Sequence, residues 1–342
     1  MSAINPLSLS LPEFEAQVIE WGMKPFVARQ IFRWVYQRAV TDLGQMTDLS
    51  KSVRAELSER LDLRSFKAVD VVPSGDSSAT KFVVTLTDGK MIECVVLHEK
   101  TYNTLCVSSQ CGCPVDCKFC LTGVVGFKRN LEVHEIVSQV LVAHQRGFPI
   151  TNLVFMGMGE PLLNYDNVFK AIDIINSETG FHISKRNVTV STSGYLAGIK
   201  RLIADSRYIN LAFSVGNANP TKRVRIMPIE GRNPIVEVSR AIAEYQRHHN
   251  RKLTLEYTLL KGQNDGEQDI KELGNLALFL NAKVNLINLN PHIRIPFVPV
   301  SSSHMNAVRE QLRRQKVPVT IRFRRGQEIS AACGQLGESH LS

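Results

Sequence analysis

Five of the seven cysteines in this chain lie between Cys106 and Cys120, and the other two are Cys94 and Cys333. A cytosolic protein of 342 residues does not need disulfides for stability, so a cluster this tight reads as metal binding or redox chemistry. The sharpest motif is Cys113-Pro-Val-Asp-Cys117-Lys-Phe-Cys120, spaced C-x₃-C-x₂-C. Three thiolates so close can hold three irons of a [4Fe–4S] cube. A cube held by four cysteines is a closed electron carrier. One held by three keeps an iron corner open for a small ligand, much as a catalytic metal keeps an open position. The amino and carboxylate groups of an amino acid would suit that corner, and Phe119 would shield the cube. The competing reading is a structural zinc site with Cys111 as fourth ligand, although such sites favour paired C-x₂-C spacings.

Other residues with chemical potential follow β-rich segments. Gly157-Met-Gly159-Glu160-Pro161 follows NLVFM, Ser191-Thr-Ser-Gly follows VTVS, Ser214 follows INLAF, and Asn290 follows VNLIN. In βα folds chemistry collects at the C-terminal ends of strands, so these groups are expected to share one site with the cysteine loop.

The elements that would position them are legible in outline. Residues 1–65 read as helical, with Phe26, Ile31, Trp34 and Val35 on one face and Asp48 or Ser50 as a cap for DLSKSVRAELSERL. KFVVTL and MIECVVL, joined by Asp88-Gly89, read as a β-hairpin. From residue 104, six strand–helix units and a final strand, PVTIRF, alternate. Six units fall short of the eight of a full barrel. The expected fold is therefore α/β: a partial (βα)6 barrel over residues 104–342, a small N-terminal helical domain over 1–65, and a short β extension over 66–103.

Net charge is +9, unevenly spread. Residues 1–100 hold 12 Lys/Arg against 13 Asp/Glu, and residues 101–342 hold 29 against 19. The densest basic run is Arg309, Arg313, Arg314, Lys316, Arg322, Arg324 and Arg325, and Lys222, Arg223 and Arg225 form a second. Such fields attract polyanions, nucleic acid among them. The N-terminus lacks a basic segment followed by an apolar run, and no stretch reaches the ~18 apolar residues of a membrane span. A cytoplasmic protein with no membrane partner is expected.

The cysteine spacing, with an aromatic before the last cysteine, resembles the signature of the radical S-adenosylmethionine (SAM) superfamily. Neighbouring motifs narrow the match: Thr104-Leu-Cys106-Val-Ser-Ser-Gln, Gly126-Phe-Lys-Arg-Asn-Leu131, GMGEPLLN at 157–164, and Arg325-Gly-Gln-Glu-Ile-Ser-Ala-Ala-Cys333-Gly-Gln-Leu. Together with Ala28-Arg-Gln-Ile-Phe-Arg-Trp and Met46-Thr-Asp-Leu-Ser-Lys, they resemble the adenine-C2 methyltransferases of 23S rRNA and tRNA, a family with a related C8 enzyme. The resemblance implies a [4Fe–4S] cluster on Cys113, Cys117 and Cys120. It implies two SAM molecules per turnover, RNA as substrate, an electron donor such as flavodoxin, and a monomer. It implies that Cys333 carries a methyl group, that Cys106 resolves the resulting RNA adduct through a transient disulfide, and that Glu93 accepts a proton. SAM contacts are expected from Gly159, Glu160, Ser191, Ser214, Val215, Gly216 and Asn290. Arg322, Arg324 and Arg325 are expected to favour the Cys333 thiolate and to bind phosphate. Ser214-Val215-Gly216-Asn217 and LINLNP depart from the family pattern, with Asn217 expected to stand in for the side chain that Gly216 lacks; a divergent paralogue fits those departures. C8 methylation, the same chemistry on another RNA, and a zinc-dependent RNA-binding protein are the alternatives.

Overall fold

The computed structural model describes residues 3–248, 253–322, 326 and 328–340. Arg324 and Arg325 lie outside the described residues. At the N-terminus stand helices α1 (Leu11–Glu20), α2 (Phe26–Phe32) and α3 (Lys51–Arg60). Ser10 and Glu13 cap α1 reciprocally, satisfying two N–H groups that the helix itself cannot. α2 runs into a wider π turn, Arg33–Gln37, and Ile31, Phe32, Val35 and Tyr36 turn inward. Ser50 caps α3 by accepting from Val53 N at 3.3 Å. Asp48 is used otherwise, accepting from Trp34 Nε1 at 2.6 Å.

Strands β1 (Phe66–Pro73), β2 (Ala79–Leu86) and β3 (Met91–His98) pair antiparallel. Asp88-Gly89 turns the chain between β2 and β3, with Gly89 at φ +83°. β1 was not expected. Its Lys67, Asp70 and Pro73 blur the apolar pattern because the strand is a sheet edge, where charges and proline block further pairing. The hairpin is also no appendage: β3 pairs with β4 (Asn103–Cys106), so the extension is continuous with the main sheet.

Beyond β4 the sheet becomes parallel. The short strands β5 (Gln110–Cys111) and β6 (Arg129–Asn130) pair with each other and bracket the cysteine loop, which contains α4 (Leu121–Val125). Helix α5 (Val133–Gln145) then leads to β7 (Asn152–Phe155), and α6 (Tyr165–Asn176) to β8 (Val188–Thr192). α7 (Leu196–Ala204) precedes β9 (Asn210–Ser214), after which α8 (Pro220–Ile226) and α9 (Ile235–Arg247) lead to β10 (Thr254–Leu259). α10 (Glu267–Phe279), β11 (Lys283–Asn288), α11 (Ser302–Arg314) and β12 (Val319–Arg322) complete the series. The strand order β1-β2-β3-β4-β7-β8-β9-β10-β11-β12 leaves β12 as the second edge, so the barrel is open. The six units and closing strand match the expectation from sequence.

Strand parity builds the site. Val188, Val190, Leu211, Phe213, Leu255, Tyr257, Val284 and Leu286 are buried in the apolar core. Ser191, Ser214, Glu256, Thr258 and Ile287 instead line a hollow within the barrel. This is the period-2 alternation of a sheet with one face on a core and the other on a ligand cavity. No helix among the described residues is long and apolar enough to cross a membrane.

Candidate active site

Cys113, Cys117 and Cys120 line one cavity, of about 1010 Å³ counted to its open mouth. The loop that carries them is fixed by its backbone. At Gly112, φ +75°, a Cβ would lie 1.7 Å from the Gly126 carbonyl oxygen, so only glycine fits. Cys120 N donates to Cys117 O at 3.0 Å, and Lys118 N donates to Ile226 O at 2.9 Å, tying the loop to α8. Phe119 packs on Ile226, Met227, Leu260, Leu289 and Ile295 and lines the cavity, as a shield would.

Burial pushes all three thiols above the ordinary cysteine range; neighbouring sulfurs of the trio raise Cys113 and Cys117 further, and the Cys333 sulfur raises Cys120. Thiolates form in such a place when a metal supplies the compensating charge. The donor set is three soft sulfurs, the kind that bind iron–sulfur cubes. Among the described residues no three His, Cys, Asp or Glu groups converge as a single-ion site. Cys111 does not join the trio: its buried Sγ donates to Met91 O at 3.3 Å, away from the cavity. Cys94 is buried in the core. Three soft sulfurs without a fourth suit an iron–sulfur cube with an open corner.

Gly159, Glu160, Ser191, Ser214 and Gly216 line the same cavity. Their local reasons differ from the expected ones. Gly159, at φ +103°, lets Gln110 approach: a Cβ there would lie 2.6 Å from Gln110 Cβ. Glu160 is committed within the protein. Its Oε2 accepts from Ser193 N at 2.7 Å and Ser193 Oγ at 2.6 Å, and its Oε1 accepts from Leu162 N at 3.3 Å. Burial raises its pKa, against the pull of these donors. Ser191 Oγ and Ser214 Oγ stand 3.4 Å apart, a hydroxyl pair on neighbouring strands. Gly216 makes room for Met227, whose Sδ would be 2.3 Å from a Cβ. Val215 is buried in the core and does not line the cavity. Asn217 does not replace the missing side chain, because it is buried with its Nδ2 donating to Asp269 at 3.0 Å.

The second expected basic patch keeps Lys222 and Arg225 at the surface but loses Arg223 to the interior. Arg223 is fully buried, donating to Glu230 Oε2 at 2.6 Å, Ser193 O at 2.6 Å and Val215 O at 2.8 Å. Lys222 pairs with Asp269 at 2.8 Å. Arg223 instead joins the loops after β8 and β9, and Ser193 passes the restraint to Glu160. In the other basic run, Arg309 and Arg313 both pair with Glu310, and Arg322 faces the site.

A second cavity, of about 1140 Å³ counted the same way, is lined by Cys106, Asn290, Val95 and Leu97. Met156, Ile287, Arg322 and Cys333 belong to the walls of both hollows. Cys333 therefore stands between the three clustered cysteines and Cys106. The segment bearing it is pinned by Leu121 N donating to Gly334 O at 2.8 Å, Thr122 Oγ1 to Leu336 O at 2.7 Å, and Asn290 Nδ2 to Cys333 O at 2.9 Å. Among the described residues Asn290 Oδ1 has no hydrogen-bond partner, so it is an acceptor available to a ligand donor. Burial, and next the nearby Cys333 sulfur, push the Cys106 thiol up to about 12, with Arg322 pulling the other way.

Glu93 lines neither cavity. It is fully buried beneath the tail, accepting from Gly337 N and Ser339 N at 3.1 Å each and from Ser339 Oγ at 2.7 Å, with Lys81 Nζ at 4.0 Å. Met156 and Glu256 are among the cavity residues that escaped the sequence reading. Met156 was passed over as the end of an apolar strand. Glu256, buried on β10 and bonded to Asn285 Nδ2 at 2.8 Å, had a signal: a lone carboxylate inside the apolar run LTLEYTLL.

Comparison with known proteins agrees with this geometry. Residues 107–274 match the Radical SAM superfamily model, and residues 4–63 match the ribosomal RNA large subunit methyltransferase N-terminal domain. The chain is 39% identical over 341 residues to the probable dual-specificity RNA methyltransferase RlmN of Dictyoglomus turgidum, covering 98% of this chain and 97% of that one. It is 41% identical over 335 residues to the dual-specificity RNA methyltransferase RlmN of Geobacter sulfurreducens, covering 97% and 92%. A radical SAM methyltransferase from Sphaerobacter thermophilus superposes with a TM-score of 0.94 at 38% identity, covering 98% of this chain and 99% of that one.

Proposed function

Since the chain belongs to the RlmN family of radical SAM RNA methyltransferases, we propose that it methylates C2 of an adenine in 23S rRNA and in tRNA. The observation that carries this reading is the place of Cys333, on the wall shared by the two cavities, between the cluster cysteines and Cys106.

The chemistry explains why two cysteines are needed. Adenine C2 lies between two electronegative ring nitrogens and is no nucleophile, so it does not displace a methyl group from SAM. A carbon radical adds to it instead. Enzymes of this family use a [4Fe–4S] cluster and two SAM molecules per cycle, which together supply a methyl group and a 5′-deoxyadenosyl radical. In this reading Cys113, Cys117 and Cys120 hold the cluster. Ser191 and Ser214 hold SAM hydroxyl groups in the first cavity, while Asn290, on the second cavity, holds the backbone of Cys333. Gly159, Gly216 and the fixed Glu160 loop shape the pocket, and Val215 stands behind it with its backbone bonded to Arg223 and Glu256. Cys333 takes the methyl group, gives up one of its hydrogen atoms, and bonds through the resulting carbon to C2. Once the C2 proton has gone to a base and the odd electron has returned to the cluster, attack of the Cys106 thiolate on the Cys333 sulfur breaks the sulfur–carbon bond, the freed carbon takes up a proton to become the methyl group, and a disulfide is left for reduction. Glu93 serves as proton acceptor when the tail lifts, since three donors hold its carboxylate when the tail is down.

Residues 1–65 act as an RNA-binding accessory unit, 66–103 as the β extension and 104–342 as the catalytic core. A flavodoxin supplies electrons, and the enzyme works as a cytoplasmic monomer. Anaerobic turnover with 23S rRNA fragments and tRNA, followed by mapping of the modified base, tests the proposal. The expected product is 2-methyladenine; a methyl group at C8, or colourless protein with stoichiometric zinc and no 5′-deoxyadenosine, overturns it.

A further inference from the structure

Arg322 ends β12, and among the described residues no oxygen accepts from its guanidinium. Its side chain lines both cavities. Among the described residues its hydrogen-bond partner is the Met156 thioether, 3.6 Å from Nη1, which is long and weak. A guanidinium carries five N–H donors, and leaving them unsatisfied in a partly enclosed wall is unfavourable. The titratable side chains nearest in influence are Cys333, Glu256 and Cys106. Glu256 is itself held by Asn285, and Asn285 by Thr320 Oγ1 at 3.2 Å. The cation is thus kept near the sulfur of Cys333, and among the described residues no oxygen receives its donors.

Resting on the function proposed above, we propose that Arg322 is a catalytic residue that donates a hydrogen bond to a ring nitrogen flanking C2 of the target base. The argument is one of proximity and polarity. Whatever carbon joins the Cys333 methylene sits one bond from its ring nitrogens, so a donor beside Cys333 reaches them. The sugar and phosphate hang from the other ring of adenine and lie farther from C2. The carboxylate of SAM belongs at the open cluster corner, in the first cavity alone. A carbon radical next to sulfur is electron-rich and adds fastest to electron-poor carbon. Hydrogen-bond donation to the ring nitrogen draws density from C2. In the step itself the methylene carbon bonds to C2, the adjoining C=N π bond opens, and the unpaired electron comes to rest on the nitrogen facing the guanidinium. No proton or electron enters or leaves. A fixed donor aimed where density accumulates is the most effective kind of electrostatic help.

The test uses the holoenzyme reconstituted without air, with three readouts: mass of the Cys333 peptide, 5′-deoxyadenosine, and methylated base. Arg322→Met should still methylate Cys333 and release 5′-deoxyadenosine, while base methylation falls about 100-fold, the usual effect of losing one such donor. Arg322→Lys should recover part of it. RNA carrying 1-deazaadenine or 3-deazaadenine at the target should slow wild-type enzyme for whichever nitrogen is used, and should slow Arg322→Met no further. That arm works with unmutated protein, so it does not depend on the variant folding. Loss of Cys333 methylation in Arg322→Met, cured by excess SAM, overturns the proposal by placing the guanidinium on SAM. Unchanged base methylation in the variant, or full wild-type rates on both deaza substrates, overturns it too. Wild-type enzyme that methylates neither Cys333 nor RNA refutes the underlying function instead.

Discussion

Glu93 and Ser339 stand 246 residues apart in the chain and share a hydrogen bond of 2.7 Å from the serine hydroxyl to the carboxylate. The bond joins β3 to the segment six residues beyond Cys333. With the backbone donors of Gly337 and Ser339, it makes Glu93 a latch for that segment. Ser339→Ala removes one of three donors and should cost about 1 kcal/mol. Glu93→Ala leaves Lys81 buried and unpaired and should cost about 3 kcal/mol. In both variants hydrogen exchange over residues 334–340 should quicken, more so in Glu93→Ala. Unchanged exchange in Glu93→Ala would show that the tail is held by its other contacts.

Cys106 lines the second cavity and Cys333 lines both, so removing Cys106 should stop the reaction after carbon–carbon bond formation. Cys106→Ala should accumulate RNA covalently attached at Cys333, visible as a shifted band on a denaturing gel. The double variant with Cys333→Ala should show no such band. Free methylated RNA at wild-type yield from Cys106→Ala would remove Cys106 from the mechanism.

The Cys106 thiol sets a pH dependence. Burial first, and the Cys333 sulfur second, raise its pKa to about 12. The thiolate is the nucleophile. Between pH 7 and pH 9, well below that value, its population and the rate of adduct resolution should rise about tenfold per unit. The sign for stability is opposite. Unfolding restores an ordinary thiol value of about 8.5, so above that pH the unfolded chain binds fewer protons than the folded one. The Cys106 contribution to stability is therefore whole below pH ~8.5 and lost as pH rises towards about 12. Single-turnover decay of the adduct against pH checks the kinetic half; a flat profile contradicts a rate-limiting Cys106 thiolate.

Spacing and period carried most of this site into the sequence. The C-x₃-C-x₂-C loop and the strand-end residues were legible because both depend on neighbours close in the chain. What stayed hidden depends on distant neighbours. Arg223 resembled a surface cation beside Lys222 and Arg225, yet it is fully buried because Ser193 and Val215 offer their carbonyls from other loops. Asn290 was expected at SAM in the cluster cavity; the crossing tail draws its Nδ2 to Cys333 O and places it in the second hollow. β1 escaped because an edge strand is built to look unlike a strand.

Arg223 also yields the sharpest stability test. Its guanidinium pairs with Glu230 at 2.6 Å, with 0% and 6% of the two side chains exposed. Desolvation of the guanidinium lowers its pKa, and the Glu230 carboxylate opposes that shift. Arg223→Met keeps the volume but strands a buried carboxylate, which should destabilise the fold by about 3–5 kcal/mol. The double variant Arg223→Met with Glu230→Gln removes both charges and should recover much of that loss. Because Arg223 also holds Ser193 O, and Ser193 holds Glu160, the single variant should bind SAM less tightly even at temperatures where it stays folded. Chemical denaturation of the two variants, with SAM titration of each, separates the effects. Equal stability of the single and double variants would mean that the lost carbonyl contacts, and not the stranded charge, carry the cost.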